Sequence, residues 1–253
     1  MNSGTPELSI IVPAYNEEAR LERTLSRVHE YFRRDPRFAN ALEIIVVDDG
    51  STDETARIAQ EWERAAPNGG FRLFLNERNR GKGYSVRRGM LEARGRIALF
   101  TDADLSAPVE ESEKLLAAIS AGHDIAIGSR AIDRSLIAAH QSVFRETAGI
   151  IFNVLVRLFT GLALHDTQCG FKAFLREPCR IIFEQQRIEG FGFDPEVLFL
   201  AQRHGLRTAE VPVRWAHDPA TKVHVAWDSV LMFGDLMYIC WNRVFGRYPA
   251  NRQ

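Results

Sequence analysis

Cysteine is scarce in this chain of 253 residues: Cys169, Cys179 and Cys240 are odd in number and far apart. That excludes a disulfide framework and a Cys-x-x-Cys metal site, and it suits a reducing compartment. An excess of either charge is also missing, since 32 basic and 33 acidic residues leave a net charge of −1. No general attraction to nucleic acid follows, and any basic site must be local. The N-terminal MNSGTPELSIIVPAYNEE meets acidic residues after a very short apolar run, so neither a signal-peptide core nor a spanning helix is expected there. The chain is expected to fold in the cytosol. Neither a G-x-x-x-x-G-K-[ST] loop nor a G-x-G-x-x-G after the first strand occurs, which argues against a P-loop ATPase and a dinucleotide oxidoreductase. What the chain does have is a 45% hydrophobic content, enough for one substantial core in one domain.

Apolar runs at 8–12 (LSIIV), 43–47 (EIIVV), 71–75 (FRLFL), 97–101 (IALFT) and 124–128 (DIAIG) read as short buried strands. Segments of helical period lie between them, at 17–34, 52–65, 82–94 and 109–121. This alternation predicts an α/β fold: a Rossmann-like, mainly parallel central sheet with right-handed crossovers and helices on both faces. Ligands of such sheets bind at the carboxyl ends of the strands.

Polar residues stand at each of those ends. PAYNEE (Pro13, Tyr15, Asn16, Glu17) follows the first strand and DDGSTDET the second. In the latter, Ser51, Thr52 and Asp53 with Glu54 fit a helix N-cap, but a cap leaves Asp48 and Asp49 unexplained. NERNRGKGYSVRRG follows the third, where Gly81 and Gly83 around Lys82 would let backbone amides approach an anion at a helix start. From Arg72 to Arg96, eight basic residues stand against two acidic ones. DADLS follows the fourth strand and sets Asp102 and Asp104 on one face of extended chain. Ser129 and Arg130 follow the fifth. A lone D-x-D is usually a solvated loop. Gathered at one sheet edge with the Gly-Lys-Gly turn, a second carboxylate pair and an arginine, it is what a metal-bound diphosphate requires: hard oxygen ligands for Mg²⁺ or Mn²⁺, and cations for the remaining charge.

SIIVPAYNEE, IIVVDDGSTDET, NRGKGYSVRRGM, FTDADLS, GSR and DTQCGFKAF together resemble the family 2 inverting glycosyltransferases of the GT-A fold. Among these they resemble the polyprenyl-phosphate glycosyltransferases, namely the dolichyl-phosphate β-glucosyltransferases and mannose synthases. The resemblance spans residues 8–222, and DTQCGFK with FDPEVLFLA points to the glucosyl branch. It implies transfer of a hexose, foremost glucose from UDP-glucose, to a dolichyl or undecaprenyl phosphate. Carried over by position, Pro13, Tyr15, Glu17 and Asp48 would form the nucleotide pocket, with Asp49 nearby and Lys82 by the phosphates. Asp102 and Asp104 would be the metal ligands, and Arg130 would contact the acceptor phosphate. Lys82, Asp104 and Arg130 are thus the residues expected to carry the chemistry. Where mannose synthases often present a glutamine, this chain has Ser106, a weaker metal ligand.

A phosphate acceptor is already anionic near neutral pH and attacks without a general base. Attack opposite the leaving group inverts the anomeric centre, so a positioning arginine matters more than a base. A lipid acceptor also needs an apolar surface. Over 147–164, Ile150, Ile151, Val154, Leu155, Leu158, Phe159 and Leu162 follow a helical period, while Arg157 argues against a span. Over 226–247, Asp228, Asp235 and Asn242 recur every seven residues and leave a broad face that includes Trp227, Leu231, Phe233, Trp241 and Phe245. Both segments are predicted as amphipathic helices at a membrane interface, with packing on the sheet or in a dimer as the alternative.

The expected layout is one domain over 1–253: a donor half at 8–130, an acceptor half at 131–225 and an interfacial helix at 226–247. The enzyme would be bound peripherally at the cytoplasmic face of a membrane, with no nucleic-acid partner and an open oligomeric state. His165, His217 and His224 lack metal-ligand spacing, and Cys169 reads as a buried small hydrophobe. Glu189, Phe193 and Asp194 lie in EGFGFDPE, which could close over the sugar, with Asp194 accepting a hydroxyl. Thr221 and Lys222 fall in a loop expected to fold over the diphosphate. Two rival readings stand beside this one: a GDP-mannose-using enzyme of the same fold, and a non-catalytic nucleotide-sugar-binding module.

Overall fold

Strands β1 (Leu8–Ala14), β2 (Leu42–Asp48), β3 (Phe71–Leu75), β4 (Ile97–Thr101) and β5 (Ile125–Ser129) coincide with the five apolar runs. The computed structural model describes residues 5–66, 69–139, 142–217 and 225–249. The runs are apolar on both faces because both faces are covered. Ile11, Ile45, Val47 and Phe100 enter one core cluster, whereas Ile10, Val12, Ile44, Val46 and Leu99 enter the other. Helices α1 (Leu21–Arg33), α2 (Thr55–Ala65), α3 (Lys82–Glu92) and α4 (Ser112–Ser120) make the crossovers.

A strand absent from the sequence reading sits inside the sheet. β7 (Phe171–Leu175) runs antiparallel between β4 and β5, in the order β3-β2-β1-β4-β7-β5-β8, with β8 at Thr208–Pro212. The remaining neighbours are parallel. FKAFL is short, lacks β-branched residues and carries a lysine at its second position, so it gives a weak strand signal. Being antiparallel, β7 begins at the carboxyl edge, with Phe171 opposite Thr101. It therefore delivers Cys169 and Gly170 to the end of β4. The order reverses beside β1, which opens a crevice between the ends of β1 and β4.

Besides β8, three further features also lie beyond the sequence reading. They are α6 (Arg176–Gln185), α7 (Phe193–Arg203) and a two-stranded sheet of β6 (Ile137–Ala139) and β9 (Trp215–Ala216).

The two expected amphipathic helices are α5 (Val143–Thr160) and α8 (Val225–Val244), which pack on each other. Ser142 caps α5 at its start, and Gly161, at φ +76, ends it in a left-handed turn. Phe152 and Val156 of α5 and Leu236 and Ile239 of α8 are buried. Ile151, Val154 and Leu158 on α5, and Val230, Leu231, Phe233 and Trp241 on α8, are exposed. Each helix thus keeps one face on the protein and presents a second apolar face outward. No helix of the described residues is long and apolar enough to cross a membrane. Thr221, Lys222 and His224, and the side chains of Trp227 and Asp228, lie outside the described residues.

Candidate active site

A cleft of about 330 Å³ opens at the ends of β1, β2 and β4, a size within reach of a small-molecule site. Pro13, Tyr15, Glu17, Asp49, Lys82, Asp102 and Asp104 line it, together with Arg20 and Phe191. Asp48 is buried at the end of β2. Its Oδ2 accepts the Ser51 N–H at 3.2 Å, while its Oδ1 has no partner among the described residues. The tips of β1 and β2 are laced together. Ser51 Oγ accepts the Asn16 N–H (2.9 Å), Asn16 Oδ1 the Thr52 N–H (2.8 Å) and Thr55 Oγ1 the Glu17 N–H (2.7 Å). Asn16 does this at φ +52, a left-handed conformation that asparagine tolerates. The Ser-Thr-Asp run therefore works mainly across loops rather than as the predicted cap. α2 begins at Thr55, whose N–H is accepted by Asp53 Oδ1 at 3.0 Å.

Both oxygens of Asp49 are committed. Oδ1 accepts from Asn76 Nδ2 (2.7 Å) and the Arg80 N–H (3.0 Å), and Oδ2 from the Gly81 N–H (2.8 Å). The Gly81 amide at the start of α3, expected to face an anion, is thus capped by Asp49. The two glycines serve a close packing instead. A Cβ at Gly81, itself at φ +105, would fall 2.5 Å from the Glu189 carbonyl oxygen, and one at Gly83 2.7 Å from that of Ile188. Asp49 holds the turn, and Lys82 reaches the cleft through its side chain.

Lys82 Nζ lies 2.5 Å from Asp102 Oδ1. Burial works against the Lys82 charge, but Asp102, with Asp194 and Asp104 nearby, more than offsets it and raises the pKa. Asp104 is pushed up by burial and then by the Asp102 charge, against the Ser106 N–H that reaches its Oδ1 at 2.8 Å. Leu105, just after Asp104, sits at φ +49, a strained position for leucine, with its N–H on the Asp102 carbonyl at 3.1 Å. Two carboxylates in a partly buried turn could hold a hard divalent cation. No third His, Cys, Asp or Glu joins them among the described residues. Such an ion would complete its shell with water and phosphate oxygens. Gly170, just before β7, seats Asp102: a Cβ there would fall 2.7 Å from Asp102 Cγ.

Arg130 is held next door. Its Nε and Nη2 donate to Asp166 at 2.7 and 2.8 Å, its backbone N–H adds a third bond at 2.9 Å, and its guanidinium lies 5.4 Å from the Trp215 ring centre. Burial would raise the Asp166 pKa, but Arg130 holds it down at about 2. A second pocket, lined by Arg130, Arg134, Arg145, His165, Ile150 and Trp215 among others, opens here beside α5. A small recess shares Asp102 with the cleft and Trp215 with the arginine pocket.

The EGFGFDPE stretch behaves differently from expectation. Phe193 belongs to the core, Glu189 pairs with Arg80, and Asp194 is buried against Lys172 Nζ at 2.6 Å, so Asp194 is not presented to a sugar. Phe191 is the residue of the stretch that lines the cleft. Cys169 is buried as expected, and burial lifts its thiol to about 12. His165 Nδ1 faces Glu210 Oε2 at 3.1 Å, and the His217 ring stacks near Trp215. Sequence reasoning passed over Asp166, Gly170 and Lys172, although all three lie inside DTQCGFK, where two charges and a glycine in a buried segment were the available signal.

Residues 9–183 match Glycosyl transferase family 2. The chain belongs to this family. It is 38% identical over 252 residues to the dolichyl-phosphate beta-glucosyltransferase of Drosophila melanogaster, covering 96% of this chain and 76% of that protein. The enzymes of the same name from Homo sapiens and Saccharomyces cerevisiae are each 35% identical, over 94% and 97% of this chain and 76% and 78% of theirs. Among solved structures, the glucosyl-3-phosphoglycerate synthase of Mycobacterium tuberculosis, in complex with Mn²⁺, UDP and glucosyl-3-phosphoglycerate, is similar with a TM-score of 0.66. At 20% identity it covers 94% of this chain and 81% of that one, and it shows the fold. This family 2 protein is a glycosyltransferase with an α/β GT-A fold.

Two substitutions probe the frame of the site. The Asp166 pKa is depressed below its unfolded value, so the pair's contribution is present above the unfolded pKa and is lost as pH falls toward 2. The stability gap between wild type and Asp166→Asn, about 2 kcal/mol at pH 7, is therefore expected to close on acidification. Urea midpoints measured from pH 6 to pH 2 check this. Gly170→Ala drives a methyl into the Asp102 carboxylate and is expected to lower glycosyl transfer about 100-fold, while circular dichroism and the melting temperature stay near wild type.

Proposed function

We propose that this enzyme transfers glucose from UDP-glucose to a polyprenyl phosphate of the dolichyl or undecaprenyl kind, with inversion, in a reaction that depends on Mg²⁺ or Mn²⁺. The observation that carries the reading is the adjacency of a carboxylate-bearing cleft and an arginine-lined pocket beside an uncovered apolar helix face. The likeness to dolichyl-phosphate beta-glucosyltransferases over nearly the whole chain supports both donor sugar and acceptor.

On this reading Pro13, Tyr15, Glu17 and Asp49 border the nucleotide, and Asp48 Oδ1 is a buried acceptor for a base N–H. Asp102 and Asp104 would hold the divalent cation, which supplies Lewis-acid neutralisation of the leaving diphosphate. Lys82 adds a fixed positive charge beside the same phosphates. Arg130, oriented by Asp166, holds the acceptor phosphate in line, and no base is needed to deprotonate it. Residues 8–130 supply most of the donor side, 131–225 the acceptor side and 226–247 a lipid-facing helix, although Phe191 and Gly170 also reach the donor side. The outward faces of α5 and α8 would lie on the cytoplasmic leaflet and hold the prenyl chain.

Radiolabelled UDP-glucose, a polyprenyl phosphate in detergent and Mg²⁺ are expected to yield label in the organic phase. Asp104→Ala should reduce that yield by about 100-fold or more. Label from GDP-mannose instead would overturn the donor; silence with both donors would overturn the reaction. Leu158 and Trp241 are 74% and 54% exposed. Leu158→Glu combined with Trp241→Glu is expected to weaken sedimentation with phospholipid vesicles by at least about tenfold, while UDP-glucose binding is unchanged.

A further inference from the structure

Phe191 is 40% exposed and forms part of the donor cleft's wall. The segment that carries it is gripped from two sides. On the donor side, the Glu189 carbonyl accepts the Tyr84 N–H at 3.1 Å, and Gly81 packs on the same peptide. On the other side the carboxylate of Asp235 on α8 packs against Gly192, just before α7. The approach is close: a Cβ at Gly192 would fall 2.5 Å from Asp235 Cβ and 2.8 Å from its Cγ. A second tie reaches the same segment from beyond α8. Tyr248 Oη donates to Glu196 Oε1 at 2.5 Å, and Glu196 accepts the Arg187 and Ile188 N–H groups.

Asp235 is the acidic residue among the α8 side chains described, half-buried on a helix that otherwise runs Val-Leu-Met-Phe-Gly before it and Leu-Met-Tyr-Ile-Cys-Trp after it. Burial raises its pKa, so the position is unfavourable for a carboxylate unless its oxygen is used. Its carboxylate is the group that packs against Gly192. We infer that Asp235 is a positioning residue for the donor: it fixes Gly192 from α8 and thereby the Phe191 wall of the cleft, without touching the donor itself. The inference rests on the proposed assignment of that cleft to UDP-glucose.

Calorimetric titration of UDP-glucose with Mg²⁺ into the full chain, beside KM values for donor and polyprenyl phosphate, tests it. Asp235→Asn keeps a side chain of the same shape against Gly192, and Asp235→Ala removes it. Asp235→Ala is expected to weaken UDP-glucose binding and raise the donor KM about tenfold, with the lipid KM within about twofold of wild type. Asp235→Asn should remain within about twofold for both. Gly192→Ala, which disturbs the same contact from the loop side, should reproduce the donor defect and serves if Asp235→Ala does not fold. Equal donor affinity in Asp235→Ala and wild type overturns the inference, as does a loss shared equally by both KM values or an Asn variant as impaired as Ala. Failure of wild type to bind UDP-glucose overturns the donor assignment and the inference with it.

Discussion

Three cation–carboxylate pairs stand side by side where the strands end: Lys82 with Asp102, Lys172 with Asp194 and Arg130 with Asp166. Lys172 and Asp194 are almost wholly buried, so removing either would strand the other at a cost of about 3–5 kcal/mol. This arrangement constrains the backbone around it. β7 must run antiparallel for Lys172 to sit within the sheet while Gly170 leaves room for Asp102. Asp104 is a seventh charge with no cation of its own among the described residues, and burial already raises its pKa. A carboxylate left without a cation of its own favours positive charge there.

Strands β1 to β5 are legible because burial on both faces writes a continuous apolar run into each. β7 is not, since its lysine breaks the run and its neighbours in space are strands β4 and β5, far upstream in the chain. The same separation hides the Arg130–Asp166 pair, whose members lie 36 residues apart and meet through the fold. Motif chemistry brings most of the expected residues to one cleft, but not the division of labour among them. Asp49 and Gly81 line the cleft, as their motifs suggest, but the Asp49 carboxylate and the Gly81 amide are also spent on holding the turn. Local spacing identifies a functional loop; it does not say which of its groups are consumed by shaping it.

Helices α5 and α8 follow another logic. A surface helix normally turns its one apolar stripe inward. Here the inward stripe is Phe152 with Val156, and Leu236 with Ile239, yet Leu158 and Val244 are 74% and 78% exposed on the outer face. Scattered exposed apolar residues need no explanation, but a continuous face on two adjoining helices does. Its position beside the arginine-lined pocket, where Ile150 of α5 lines the wall, puts apolar and cationic surface side by side, as the proposed lipid phosphate would require.

The commitment of Arg130 to Asp166 looks at first like a loss of the charge meant for an acceptor. It is better understood as preorganisation. A guanidinium held by two side-chain bonds and its own backbone amide, above an indole ring, has little freedom left to lose when an anion arrives. Asp166 stays ionised because Arg130 holds its pKa at about 2, so the pair keeps its charge state at any physiological pH. On the proposed reading, a nucleophile that brings its own negative charge needs orientation more than proton transfer, and a rigid cation beside the cleft would supply it.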